Sequence, residues 1–345
     1  MAGLPGGGLQ RRSIPISRFS REVGWFFDGG VRGGMSILQG AGEGPVVPLD
    51  RWMAEAARHE AAVRSKTADA LARRTRGVQH PVEDFLFTYY RFSFASLREW
   101  HPPCGTSLEA PSVVPGRFLK APYVVSRGLI HAAPEFLTEG QLARLWWIRE
   151  LLMATHARSG NFGCHGMHEW AMVYGGGEVR HGDSTPLRLG QREIDAFVES
   201  RPIRCSHFDA FRFFAPAARD FNKLQPDLEG RVAHEQPGCI HANMDLYKWA
   251  GKAMPWVGSA LWFEAFLLAG ELRDLDMRAS PYDLRAFGLE PVMIETPEGR
   301  TIYENEQRRL AEKSAALRQR LIDALGFLDR ASDQAAGDEK TPTPA

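Results

Sequence analysis

The stretch Gly163-Cys164-His165-Gly166-Met167-His168-Glu169-Trp170 sets a thiol, two imidazoles, a carboxylate and an indole almost side by side. Two later stretches repeat part of it: Cys205-Ser206-His207-Phe208-Asp209 and Cys239-Ile240-His241-Ala242-Asn243-Met244-Asp245. In both repeats a cysteine stands two residues before a histidine, and an Asp or Asn two residues after it. The shared spacing predicts that the three stretches wall one site.

Three chemistries suit these residues. The first is metal binding. Imidazoles and carboxylates are ordinary ligands of zinc and iron, and thiolates favour zinc. If residues 164–170 are helical, His165, His168 and Glu169 face one point. His207 with Asp209, and His241 with Asn243, would each project from one strand face. The candidate metal ligands are therefore His165, His168, His207 and His241, for Fe or Zn. The order His-x-x-His-Glu is not the zinc-protease pattern, and the cysteine spacings are not those of zinc fingers. The second arrangement needs no ion: a buried histidine donating to an aspartate satisfies both groups, and the cysteines simply pack.

The third is cleavage of an N-glycosidic bond, in which a carboxylate stabilises an oxocarbenium-like state or activates water. An enzyme doing this to DNA stacks the extruded base on aromatic rings. Glu169 lies beside Trp170, Asp209 between Phe208 and Phe211, and Asp245 near Tyr247 and Trp249. The catalytic candidates are Glu169, Asp209, Asp245 and His168, with Trp170, Phe208, Tyr247 and Arg204 as substrate contacts.

Five stretches carry a family resemblance: residues 80–90, 163–174, 204–214, 235–250 and 275–284, among them His80-Pro81-Val82-Glu83-Asp84-Phe85 and Leu275-Asp276-Met277-Arg278-Ala279-Ser280-Pro281-Tyr282. Over roughly residues 50 to 325 the chain resembles a bacterial family whose members are labelled 3-methyladenine DNA glycosylase. The resemblance implies release of alkylated purines from DNA, with alkylated DNA as partner. The glycine-containing hairpin and downstream Asp of helix-hairpin-helix glycosylases do not occur in the sequence. The residues by themselves point instead to a metal-dependent oxygenase or hydrolase acting on a small molecule. Both readings remain open on the sequence.

Composition narrows the setting. Lys plus Arg equals Asp plus Glu at 42 each, so no overall field draws the chain onto a polyanion. No apolar run reaches the roughly 18 residues of a membrane helix. Four cysteines in 345 residues do not form a disulfide framework, which predicts reduced thiols and a cytoplasmic setting.

These side chains need elements to position them. The patterning predicts a mainly α fold with a few short β-strands, in a single globular domain over residues 49–330. Residues 1–48 are glycine-rich and aperiodic, which predicts a flexible or mis-started segment; residues 331–345 read as a disordered tail. Asp50 to Arg76 reads as a helix carrying several basic residues. Thr138 with Gln141 is a capping box ahead of a core helix that ends near Ser159. Tyr123-Val124-Val125 suggests a strand. Period-two alternation suggests another over Ile203 to Phe214. Helices are expected over Leu246–Ala250, Ser259–Leu272 and Glu304–Asp329, with a hairpin between Val292 and Tyr303.

Overall fold

The computed structural model describes residues 44–176 and 185–329. Among them the chain is mainly helical, with eleven α-helices and four short strands. The first helix, α1 (Leu49–Thr75), carries the predicted basic residues, but several already have acidic partners. Arg64 pairs with Glu60, and Arg73 with Asp84 and Glu83. Two short helices follow, α2 (Phe85–Tyr89) and α3 (Phe94–Arg98). The Ser93 hydroxyl caps α3 by accepting from the Ser96 amide at 2.9 Å.

The sheet takes the order β1-β2-β4-β3, from β1 (Val46–Val47), β2 (Ser107–Glu109), β3 (Tyr123–Ser126) and β4 (Leu129–Ala132). β1 runs parallel to β2, and the other pairs are antiparallel. Arg127 and Gly128, at φ 50° and 77°, make the two-residue reversal between β3 and β4. Positive φ at both turn positions matches the twist of the strands they join. The expected segment 1–48 lies largely outside the described residues, but Val46 and Val47 belong to this sheet. The expected tail at 331–345 lies outside them too.

The capping box of α4 (Glu139–Ala157) forms as predicted: Thr138 Oγ1 accepts from the Gln141 amide and Gln141 Oε1 from the Thr138 amide. Leu145, Ile148, Leu151 and Leu152 bury its inner face. The remaining helices are α5 (Met167–Met172), α6 (Gln191–Glu199), α7 (Phe208–Phe211), α8 (Arg231–His234), α9 (Ile240–Lys252), α10 (Ser259–Arg278) and α11 (Pro297–Ala324). α9 and α10 pack along each other, and α11 lies against α10, α4 and α9.

Three expectations need correction. The strand over Ile203–Phe214 is absent: Ile203 makes one bridge to Asn222, and residues 208–211 are helical. The Asn222 side chain takes the strand partner's role, accepting from the Cys205 amide at 2.8 Å and donating to its carbonyl at 2.9 Å. His241 and Asn243 do not share a strand face, since both lie in α9. The hairpin over Val292–Tyr303 is instead the start of α11, where Thr296 Oγ1 accepts from the Gly299 amide and Pro297 opens the first turn.

Candidate functional site

The helix bearing His168 and Glu169 is entered through a left-handed step. His165 has φ 46° and Gly166 φ 74°. A Cβ on Gly166 would only touch Ala279 and Tyr303 at 3.4 Å, so it is the positive φ that favours glycine there. The step breaks the helical register assumed for residues 164–170. His165 therefore leaves the cluster, with Nε2 3.7 Å from Glu304 and the ring against Tyr303. The segment before it is pinned to the start of α9. The Asn161 amide donates to Gln236 Oε1 at 2.8 Å, and Gly238 approaches the Asn161 backbone so closely that a Cβ would meet its carbonyl at 2.6 Å. These contacts set the Cys164 loop beside Cys239.

In α9, His241, Asp245 and Lys248 fall at i, i+4 and i+7, one stripe of the helix. Asn243 faces the other way and accepts from Arg318. In α10 the buried positions Trp262, Ala265, Phe266, Ala269, Leu272, Arg273 and Asp276 follow helical period, so two charged residues occupy the apolar face.

α5, α9 and α10 together bring His168, His241 and Asp276 into a triad whose ligand atoms all lie within 4.8 Å of one another. His168 Nε2 is 3.0 Å from Asp276 Oδ1, and His241 Nε2 is 3.8 Å from Asp276 Oδ2. The two imidazoles meet edge to face, with centroids 4.3 Å apart. His168 Nε2 and Asp276 Oδ1 thus form a close ion pair buried in the core. Arg273 Nη1 donates to Asp276 Oδ2 at 2.9 Å and to Glu169 Oε1 at 3.3 Å, and its guanidinium lies 3.9 Å from the centroid of the Phe85 ring. Burial opposes a charge on His168, but Asp276, Cys164 and Glu169 together raise it to about 10. Burial, reinforced by that neighbouring charge, pushes His241 down to about 3. Against burial, the two histidines and Arg273 keep the Asp276 carboxyl well below the usual carboxylate range.

A second group, His207, Asp209 and Asp245, is equally close but differently filled. Arg231 donates to Glu235, Asp209 and Asp245 at 2.7, 3.1 and 2.8 Å. Lys248 Nζ reaches Asp209 and Asp245 at 3.0 and 3.1 Å, and Tyr90 donates to the other Asp245 oxygen at 2.9 Å. Burial would raise both aspartates. Lys248 and Arg231 hold Asp209 below its ordinary value, and with His207 they hold Asp245 well below it. Protein cations already sit where an ion would, so this group is a charge network and not a fit for a metal. His207 stacks on His241 at 5.6 Å and links the two groups.

Between the three predicted stretches lies a cavity of about 10 Å³, the space of a single water or ion. Cys164, Cys205 and Cys239 wall it, with His168 and His241. The three stretches converge around this cavity. Of the four histidines proposed as ligands, His168 and His241 enter the triad, His207 joins the charge network, and His165 lies outside both. Glu169 adjoins the triad through Arg273. Trp170 and Tyr247 are fully buried in the core, with Trp170 Nε1 donating to the Ala279 carbonyl, so neither offers a face to a ligand. Phe208 is half-buried, and Arg204 is exposed on the cavity wall. Asp276, Arg273 and Arg231 escape the sequence reading. The signal for the first two is their place in the apolar register of α10.

No protein-family model, curated protein or solved structure matches this chain. No described helix is long and apolar enough to cross a membrane.

Proposed function

We propose that the chain is a metal-dependent enzyme acting on a small molecule, with one ion held by His168, His241 and Asp276. The observation that carries this reading is the convergence of His168, His241 and Asp276, whose ligand atoms all lie within 4.8 Å of one another, with His168 Nε2 3.0 Å from Asp276 Oδ1. Two ligands of one ion, each about 2.0–2.2 Å from it, stand about this far apart. Two imidazoles and one carboxylate form the donor set of non-haem Fe(II) oxygenases and of zinc hydrolases. Bound there, such an ion would supply Lewis acidity. The protein's own residues have definable tasks. Arg273 fixes the orientation of Asp276 through its second oxygen. Glu169, with Oε1 3.9 Å from His168 Nε2 and 3.3 Å from Arg273 Nη1, adds negative charge beside the triad. The test is metal analysis of protein purified without a histidine tag: stoichiometric Fe or Zn, lost in His241→Ala, supports the reading, and metal-free wild type refutes it.

A second reading, excision of alkylated purines from DNA, rests on the family resemblance. Each of the five resembling stretches supplies residues to the buried groups, through Phe85 and Tyr90, His168 and Glu169, His207 and Asp209, Glu235, His241 and Asp245, and Asp276. Carboxylates kept ionised, as Asp209 and Asp245 are, suit stabilisation of an oxocarbenium-like state. Release of 3-methyladenine from alkylated DNA by metal-free protein would favour this reading over the first.

A further inference from the structure

A second cavity, of about 350 Å³, is lined by residues of α1, α10 and α11. It falls in the range of small-molecule sites, roughly 300–1,000 Å³. Leu261 in its wall and Asp276 in the triad stand fifteen residues apart on α10, about 22 Å at the rise of a helix. Its occupancy therefore needs no ion at the triad. The floor is built by pinning residues 101–104 to the start of α10. The Ser259 amide donates to the His101 carbonyl at 3.0 Å, and Ser259 Oγ accepts from the His101 amide at 2.9 Å. The Cys104 amide donates to the Trp256 carbonyl at 2.9 Å. Gly258, at φ 77°, permits this approach, since a Cβ there would stand 2.9 Å from the Pro103 nitrogen.

The wall divides by character. Trp100, Pro103, Val257 and Leu261 give it an apolar floor, and Trp100 is backed by Trp52, stacked on it at 6.0 Å. Charge comes from α1 and α11, through Glu55, Arg320 and Asp323. Arg320 is already held by both oxygens of Glu264 at 2.7 Å. The ion-pair partner of Glu55 is the exposed Arg51, at 3.6 Å. Among the described residues Asp323 has no cation within ion-pair distance, and its Oδ1 accepts from the Gln319 side-chain amide at 2.8 Å. His101 also lines the cleft but adds no positive charge, because burial, then Arg117 and His59, lower it to about 4. An apolar floor thus lies under an excess of negative charge.

We infer that this cleft binds a small organic cation, an amine whose apolar body rests on Trp100, Val257 and Leu261 and whose ammonium group faces Glu55 and Asp323. Burial of apolar surface supplies the affinity. The two carboxylates select the sign of the charge, since an anion of the same shape is repelled by both.

Calorimetric titration of the full-length protein with phenethylamine tests it, beside neutral N-acetylphenethylamine and anionic 3-phenylpropionate. Saturable binding of phenethylamine at one site is expected, at least about tenfold tighter than that of either analogue. Methylamine, which keeps the charge but lacks the ring, should not saturate. Glu55→Gln combined with Asp323→Asn should weaken phenethylamine binding about tenfold, the order of two partly exposed ion pairs. Ala260→Phe, which fills the cleft from an exposed position of its wall, should abolish it. Both variants should keep the melting temperature of the wild type. Absence of phenethylamine binding, equal binding of the neutral or the anionic analogue, or binding unchanged in both variants would overturn the inference.

Discussion

His168 Nε2 and Asp276 Oδ1 lie 3.0 Å apart, buried together in the core, and His241 Nε2 stands 3.8 Å from the second Asp276 oxygen. In the proposed metal centre all three side chains would be ligands of one ion. The consequences can be measured.

Asp276→Asn should fold, because the amide keeps the shape of the side chain. It weakens the bond from Arg273 and should lower stability by roughly 1–3 kcal/mol. Loss of a ligand exceeds the usual effect of removing a supporting partner, so metal affinity should fall by more than about 100-fold. Competition with a chromophoric chelator gives the affinity. Unchanged affinity would take Asp276 out of the centre.

Glu169→Gln separates a ligand from a neighbour. Glu169 touches Arg273 and approaches His168 but stands outside the triad. The variant should retain its metal and fold, at a cost of roughly 1–3 kcal/mol for the weakened bond to Arg273. Metal analysis beside a thermal melt checks this, and loss of metal on this substitution would make Glu169 a ligand.

Arg231 is the keystone of the second group. Arg231→Met leaves Glu235, Asp209 and Asp245 buried with Lys248 as the main compensating cation. Removing one side of such a network costs roughly 3–5 kcal/mol. Urea denaturation should show a loss of that size, while an effect below about 1 kcal/mol, as for exposed pairs, would mean that the network is solvated.

His101 gives a pH signature away from the site. Burial, then Arg117 and His59, lower it from 6.5 to about 4, and its Nδ1 meets the Tyr123 hydroxyl at 2.9 Å. A histidine depressed in the folded state binds protons more readily when unfolded. Its contribution is therefore complete above pH 6.5 and is lost as pH falls from there towards about 4. Between pH 7 and pH 5, His101→Gln should lose less stability than the wild type in parallel urea titrations. Equal losses would show that His101 is not the titrating group.

How far the site was legible follows from what each residue signals locally. Cysteine-to-histidine spacing located the three converging stretches, and Thr138 with Gln141 located the start of α4, because both signals act within a few residues. Period-two spacing of His207 with Asp209, and of His241 with Asn243, suggested strands. In the fold, however, the His241–Asp245–Lys248 stripe follows helical period, and Asn222 substitutes for a strand partner. His165 was lost to a left-handed step that neighbouring residue types do not announce. Thr296-Pro297-Glu298 is a helix start inside the stretch read as a hairpin. Asp276 was the costliest omission. A charged residue in the apolar register of a core helix is the sign that would have found it, together with Arg273 one turn before.

The proposed ion lies between α5, α9 and α10. A crystal of the tag-free protein, with diffraction collected on both sides of the iron and zinc absorption edges, would locate it. A single anomalous peak is expected about 2.0–2.2 Å from His168 Nε2, His241 Nε2 and an Asp276 oxygen. A triad without such a peak, in protein whose solution metal content is also negligible, or a peak among His207, Asp209 and Asp245, would contradict it.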